Sequence, residues 1–464
     1  MGKGGQPAAS SEGRPEAMMH EEVPMVVREG EPASAPAAAK ETEAHPTPAA
    51  CLAAENYNGE SNDQDKDEGE GKGKDRGRAA SDGPTDPKAP LHCAVMSSEE
   101  VAAITVPFAE VDSMLKRVLD EHGAALVLGV ADTEECQQLE SLFREDLREV
   151  CCGSKQLPRK FPSASVSGLG EMNRCQLRGL PHGRFAWAAR LHPQVRRVYE
   201  VLHGTGDLVS SCDNSFFAPG DAGGADRNRS WPHVDHNCHD HSVVDADGNA
   251  ISDWQVYQGL LYIWPAVEQD ASTTVVWPGS HRAVYDELMA SDAVKTRGGK
   301  GQHFTQLQMA GCSLIPQWHG AARRVPVPAG ALFLWDSRTV HQGWTGGPRL
   351  AQPVCWEPVG RRSERARQRK LRLAALGLPS THWASLGLPH NLVAPSLPDP
   401  VKASKRGDAT LPMIATMEPV TLAAGKKSKD MWRKFQSANW SKPLPAAELR
   451  ELEECIREPY RSLL

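Results

Sequence analysis

The sequence predicts a mainly β fold of the α+β class, an antiparallel sandwich or barrel with helices at both ends. Three observations predict it. From about Leu208 the chain breaks into short apolar or alternating segments, LVSSCDNSFFAP, WQVYQGLLYIWP, STTVVWPGS, RRVPVP, ALFLWDSRTVHQG and LAQPVCWEP. Pro- and Gly-rich turns separate them with no helix-length interruption, the pattern of a sheet folded on itself. Tryptophans recur on these segments, and all 12 lie from Trp187 onward, which suits a packed double-sheet core. A helix, a strand and a second helix precede the segments, and helical patterns follow them.

Each element has its own local reason. Val111, Leu115, Val118 and Leu119 fall at helical spacing, and Gly123 stops that helix. AALVLGV, residues 124–130, reads as a short buried strand. Asp132 and Glu135 form a capping-box pattern ahead of Leu139, Leu142, Phe143 and Leu147, an amphipathic helix. Order begins near Val106. After Pro358 the chain turns helical again: RRSERARQRKLRLAALG is a basic helix stopped by Gly377, and AAELRELEECI is a last helix. The stretch from Arg361 to Arg372 holds seven basic residues against Glu364 and reads as a solvated face, with the phosphates of a coenzyme A thioester or an acidic partner as the sharper reading.

Composition divides the chain of 464 residues unevenly. Residues 1–95 hold one aromatic, Tyr57, and 18 acidic against 10 basic residues, in low-complexity runs such as DQDKDEGEGKGKDRGR. Such a segment cannot bury enough apolar surface to offset the entropy of ordering, so it reads as a disordered acidic tail. The expected organisation is this tail over 1–95, a main domain over 104–395, and a C-terminal extension over 396–464 made of a linker and a terminal helix. Almost all of the net charge of −7 belongs to the tail. A near-neutral body argues against nucleic acid or an anionic membrane as partner. No run approaches the ~18 apolar residues of a membrane span. The polar start lacks secretory or transit character, and Gln6 stands where a myristoylation site wants Ser or Thr. Eleven cysteines without repeated spacing fit reduced thiols, and the expected location is cytoplasmic.

The chemistry concentrates in WPHVDHNCHDH, residues 231–241, with four histidines, one cysteine and two aspartates. On a strand, residues two apart point the same way, so His233 and Asp235 converge. One histidine from a distant strand would complete the two-His, one-carboxylate face that holds non-haem Fe(II) with open positions. His281, just past a Pro-Gly turn in VVWPGSHRAV, fits a backbone hydrogen bond better. His341, at the end of GALFLWDSRTVH, is delivered by an apolar strand and is preferred. Arg349 follows across the turn WTGGPR, where a permanent, forked cation would hold the far carboxylate of a 2-oxo dicarboxylic cosubstrate. Gln258, on the face shared by Val256, Leu260, Tyr262 and Trp264, is a candidate hydrogen-bond donor to 2-oxoglutarate or substrate. Asn214 and Ser215 are candidate pocket residues, Trp318 and His319 a candidate entrance or turn, and His236, His239 and His241 a loop covering the metal. The same four loop histidines, counting His233, also allow a zinc or copper centre, and a non-catalytic binding module is a third class.

At these residues the chain resembles the phytanoyl-CoA dioxygenase-like family of Fe(II)/2-oxoglutarate oxygenases. The resemblance lies in His233-x-Asp235, in VVWPGSHR, in GALFLWDSRTVHQG with His341, in PRLA with Arg349, and in the opening EHGAALVLGVADTEECQQLESLF. It covers about Val106 to Trp383 and is most specific between Trp231 and Trp356. It implies a double-stranded β-helix (jelly-roll, cupin-like) core between N-terminal and C-terminal helices. It also implies His233, Asp235 and His341 as iron ligands, Arg349 as the 2-oxoglutarate anchor, O2 as the oxidant, and hydroxylation of a small-molecule substrate with release of succinate and CO2. The gap from His341 to Arg349 is shorter than the family's, which leaves Arg338, Arg361 and Arg362 as other candidate anchors.

Overall fold

The computed structural model describes residues 91, 93–152, 179–218, 228, 230–239, 254–297, 304–307, 320–375, 377–388, 445–456 and 458–464. The tail up to residue 90, His241, Trp318, His319 and most of the expected linker lie outside them. Structure begins earlier than the aromatic content suggests. Strand β1 (Ala94–Val95) pairs in parallel with Arg323 and Arg324, and helix α1 (Ser98–Ile104) follows a capping box closed by Ser97 and Glu100. The Ser-x-x-Glu signal was present in the sequence; the tail's composition masked it.

Strand β2 (Thr105–Pro107) leads to α2 (Val111–His122), whose buried Val111, Leu115, Val118 and Leu119 form one face. Gly123 ends it with φ +72°, and its N–H bonds Leu119 O at 2.8 Å. A Cβ there would meet His281 Nδ1 at 2.5 Å and Thr339 Oγ1 at 2.6 Å, so both the left-handed backbone and the close packing require glycine. Strand β3 (Ala124–Leu128) and α3 (Thr133–Cys152) follow, the latter opened by the reciprocal Asp132 and Glu135 bonds, both 2.8 Å. Helices α4 (Arg184–Arg190) and α5 (Pro193–His203) complete this layer. Val195, Val198, Tyr199 and Leu202 of α5 are buried in one core with α2, Phe143 and strand β3.

The β region comprises β4 (Leu208–Ser210), β5 (Phe216–Ala218), β6 (His233–Val234), β7 (Tyr257–Tyr262), β8 (Thr273–Val276), β9 (Thr305–Gln306), β10 (Arg323–Arg324), β11 (Leu332–Asp336), β12 (His341–Trp344), β13 (Arg349–Pro353) and β14 (Trp356–Pro358). Together with β1, β2 and β3, nine of them build two six-stranded sheets. The first has the order β1-β10-β8-β12-β6-β9, the second β2-β3-β11-β7-β13-β5, and β14 pairs with β4 apart from both. Pairing is antiparallel except for β1 with β10 and β2 with β3. Apolar segments read as single strands divide where the chain changes sheet. LVSSCDNSFFAP becomes β4 and β5, and ALFLWDSRTVHQG becomes β11 in the second sheet and β12 in the first. That crossing sets His341 against the opposite sheet from Trp335.

The β region does contain helices, contrary to the sequence reading: α6 (Ala283–Ala290) and α7 (Asp292–Arg297) interrupt it. Val284, Leu288 and Met289 at helical spacing bury in one core with Val275 of β8 and with Trp277 and Val340, which adjoin β8 and β12, and that apolar burial favours the helix. Helix α8 (Glu364–Ala375) and the C-terminal α9 (Ala446–Cys455) and α10 (Tyr460–Leu463) close the chain. Arg367 of α8 bonds Glu453 of α9, Arg362 bonds Ser462 O, and Trp187 packs edge-on against Tyr460, so the C-terminus docks on the same unit. Among the described residues, no helix is long and apolar enough to cross a membrane.

Candidate metal centre

His341 and His233 stand directly opposite each other on the antiparallel pair β12 and β6, their ring centroids 4.3 Å apart. Register alone therefore brings them together, since opposed residues on one face hold their Cβ atoms within ~5.5 Å. Asp235 lies just past the two-residue strand β6, in a bend whose N–H bonds Ser337 O at 2.9 Å, so it is a backbone turn rather than strand alternation that brings it back. Its carboxylate reaches both rings, Oδ1 to His233 Nε2 at 3.7 Å and Oδ2 to His341 Nε2 at 3.3 Å. Among the described residues these three form the one group of histidine, cysteine or carboxylate side chains whose ligand atoms lie within 4.8 Å of one another.

The other ring nitrogens fix the chemistry. His341 Nδ1 lies 2.9 Å from Thr339 O, and His233 Nδ1 lies 3.3 Å from Trp231 O. A carbonyl oxygen only accepts, so each Nδ1 carries the proton and each neutral ring turns the Nε2 lone pair toward the carboxylate. Two lone pairs and an anion aimed at one point repel unless a cation or extra protons lie between them. This donor set fits a divalent metal, with both imidazoles held through their far nitrogens as metal-ligating histidines are. Burial pushes the Asp235 carboxyl up, but the imidazoles of His382, His233 and His341, when they carry such an extra proton, outweigh it and hold the group well below the usual range. Trp231 stacks on His233 at 4.6 Å and Trp335 packs on His341 at 5.1 Å, which limits ring rotation.

The cluster faces a narrow cavity of roughly 50 Å³ between the two sheets, open to solvent and lined by His233, Gln258, Leu260, Trp335, His341 and Arg349 among others. Arg349 opens β13 on the second sheet and is 2 % exposed. Its Nη2 donates to Tyr262 Oη at 2.7 Å and lies 3.4 Å from Thr274 Oγ1, while its guanidinium covers the Phe216 and Tyr262 rings. A guanidinium is able to pair with a planar anion through its forked donors, and this one is buried in the cavity wall. Gln258 lines the same cavity, and its Nε2 donates to Asp235 Oδ2 at 2.9 Å. Its present partner is thus the carboxylate of the cluster.

The other sequence candidates lie elsewhere. His281 Nε2 bonds Asp120 O at 3.0 Å, the backbone role expected of it, and burial pushes its pKa down. Arg338 donates to Trp254 O, Arg361 to Gln255 O and Arg362 to Ser462 O, and none lines the cavity. His239 Nε2 lies 2.7 Å from Met289 O, and His236 is buried against the Tyr285 and Trp383 rings, so neither joins the cluster. Ser215 bonds Gln352 Oε1 at 2.6 Å, and Asn214 is fully buried beside it. The basic helix is not a solvated face. Lys370 is 1 % exposed and donates to Ser210 O and Ala384 O, and Arg369 donates to Leu386 O, because α8 packs beneath residues 377–388.

One residue of the cavity carried no periodic signal. His382, 6 % exposed, lines the cavity with its Nδ1 3.7 Å from Asp235 Oδ2. It lies in an irregular Pro- and Gly-rich stretch, LGLPSTHWASLGL, where neither strand nor helix spacing says which way a side chain points.

No family model matches the chain. A curated relative, "Ava biosynthesis cluster protein O" of Aspergillus versicolor, is 27% identical over 228 residues, which are 46% of this chain and 66% of that relative, just under two thirds of its length. Three solved structures are similar at 14–16% identity. The epimerase SnoN, in complex with Fe3+, alpha ketoglutarate and nogalamycin RO, covers 54% of this chain and 84% of its own, with a TM-score of 0.35. EctD from S. alaskensis with 2-oxoglutarate and 5-hydroxyectoine covers 60% and 83%, with a TM-score of 0.34. HygX from Streptomyces hygroscopicus with nickel and 2-oxoglutarate covers 52% and 85%, with a TM-score of 0.32. The SnoN and HygX structures hold a metal together with 2-oxoglutarate, and the EctD structure holds 2-oxoglutarate.

Proposed function

We propose that the protein is a non-haem Fe(II)/2-oxoglutarate-dependent dioxygenase of the phytanoyl-CoA dioxygenase-like kind, hydroxylating a small-molecule substrate and releasing succinate and CO2. The two six-stranded sheets are read as its double-stranded β-helix core, and residues 104–395 as its domain. The observation that carries this reading is the convergence of two Nε2 lone pairs and one carboxylate on a single point, in a cavity that also holds a buried arginine. His233, Asp235 and His341 would hold Fe(II), which with 2-oxoglutarate and O2 supplies the oxidation of an unactivated C–H bond.

The chain's own residues supply the rest. Two neutral imidazoles and one carboxylate leave a divalent ion with net positive charge, which attracts a dicarboxylate. Arg349 takes the far carboxylate by a charge-assisted pair, with Tyr262 and Thr274 holding the guanidinium in place. Gln258 acts on the ligand Asp235 rather than on the cosubstrate. Phe216, Leu260 and Trp335 give the cavity apolar walls. The fungal relative's name refers to a biosynthesis cluster, which supports a biosynthetic small molecule as substrate.

The test is an anaerobic visible spectrum of the purified protein with Fe(II), before and after 2-oxoglutarate. A weak metal-to-ligand charge-transfer band that is lost in His341→Ala is the expected result. Retention of zinc without such a band would overturn the reading.

A further inference from the structure

The segment 377–388, which follows α8, belongs to neither sheet, yet it is buried along residues 377–387. A buried irregular segment carries backbone groups that need partners, and here the partners come from distant parts of the chain. Ser380 exchanges bonds with Cys212, its N–H to Cys212 O at 3.0 Å and its Oγ accepting from Cys212 N at 2.9 Å. Thr381 N–H bonds Leu388 O at 2.8 Å. Lys370 Nζ donates to Ala384 O at 2.8 Å and to Ser210 O at 2.6 Å. Arg369 Nη2 donates to Leu386 O at 2.6 Å, and Glu357 Oε2 accepts from both N–H and Oγ of Ser385, at 2.7 and 2.9 Å.

Two of these partners are buried ions. Glu357 is fully buried and Lys370 nearly so. Taking such ions out of water costs several kcal/mol each. Burial pushes the Lys370 pKa down to about 7 and the Glu357 pKa up. That cost is spent on fixing a turn in which one side chain, His382, lines the cavity. Trp383, its neighbour, packs away among Val256 and Leu386.

His382 approaches Asp235 on Oδ2, the oxygen that already accepts from Gln258 Nε2 at 2.9 Å. At 3.7 Å the contact of His382 Nδ1 is electrostatic rather than a hydrogen bond. Gln258, on the second sheet, thus holds this carboxylate oxygen by a hydrogen bond, and His382, on the buried turn, lies against the same oxygen from a separate element. A carboxylate ligand free to rotate offers one oxygen, two, or neither; held at one oxygen it presents a defined face to the histidines. We propose that His382 is a positioning residue of the metal centre, holding Asp235 through the Nδ1 side of its ring so that the carboxylate stays set for the ion between His233 and His341. The proposal rests on the reading of the cluster as a metal site. It does not rest on iron, 2-oxoglutarate or turnover.

The test is Mn2+ binding by the full-length protein, read by electron paramagnetic resonance of the free ion, without 2-oxoglutarate. His382→Ala is expected to raise the Mn2+ Kd about 10-fold, the usual scale for a group that orients a metal ligand. Asn places an amide nitrogen near the position of the histidine Nδ1, and Gln places one near Nε2. His382→Asn is therefore expected to stay within about threefold of the wild type, and His382→Gln to resemble His382→Ala. These two polar variants decide the matter even if the alanine variant folds poorly, and melting curves of each report on folding. Wild-type affinity in His382→Ala would overturn the proposal, and so would rescue by Gln but not by Asn. A wild-type protein that binds no Mn2+ would instead overturn the metal-site reading itself, and this inference with it.

Discussion

The imidazoles around Asp235 are delivered in two different ways. His233 and His341 sit on paired strands, where a single register match, His341 opposite His233, sets their separation. His382 sits on a turn outside both sheets, held by Cys212, Glu357, Arg369 and Lys370. A strand ladder fixes a side chain through the backbone and needs no specific neighbour. A buried turn fixes one through a set of polar partners, each of which must be present. The first arrangement tolerates change around it, and the second is open to failure at several distant positions.

The largest expected effect lies on the ladder side. His341→Ala removes one of three donors and should abolish Mn2+ or Fe(II) binding at micromolar protein, with loss of 2-oxoglutarate turnover, while His281→Ala leaves metal affinity unchanged. Metal titration of both variants checks this, and the reverse pattern would move the centre to His281. Next comes Arg349→Ala. Loss of a buried charge-assisted pair is expected to raise the 2-oxoglutarate Kd about 100-fold and leave Mn2+ affinity within twofold. An unchanged 2-oxoglutarate Kd would put the anchor outside this cavity.

The same contrast explains what the sequence made legible. Strands β7, β8, β11, β12 and β13 announce themselves by apolar runs between turns, and the opening helices by spacing and by the Asp132 and Glu135 box. His233, Asp235, His341 and Arg349 could be picked out because they flank such elements. The role of Gln258 was less legible: alternation gave its face, but its bond to Asp235 depends on a bend after a two-residue strand. His382 and Lys370 were not legible at all. The partners of their turn lie 28 residues away in Glu357 and 160 to 168 away in Ser210 and Cys212, and no local pattern encodes such pairings. Helix α8 misled for the same reason, since seven basic residues look like a wet face until Lys370 and Arg369 are seen to point into the fold.

The turn side makes a prediction in pH. Lys370 loses its proton near pH 7 in the folded protein, against an ordinary value of 10.5. Between those values the unfolded chain holds a proton that the folded chain has shed, so stability rises with pH across that window; below pH 7 both states are charged and the penalty is constant. In urea unfolding, the stability of the wild type relative to Lys370→Met should therefore rise by about 3.5 kcal/mol from pH 7 to 10, and stay level between pH 5 and 6. A difference that stays flat above pH 7 would mean that the buried amine remains charged and that its two carbonyl partners suffice.

The smallest effect is the most local. Gly387 closes the turn with φ +58°, and a Cβ there would lie 2.4 Å from Lys370 Cγ and 2.9 Å from Ala366 O. The Lys370 side chain cannot simply swing aside, because both carbonyls it serves hold its far end. Gly387→Ala should thus cost about 1–2 kcal/mol, from the left-handed backbone and the displaced lysine together. The cost should be confined to the turn. Amide hydrogen exchange is expected to speed up at residues 380–386 and to stay slow at residues 332–344, the strands that carry His341. Equal loss of protection in both would show that turn and ladder open as one cooperative unit, and the independence of the two ways of holding an imidazole near Asp235 would fall with it.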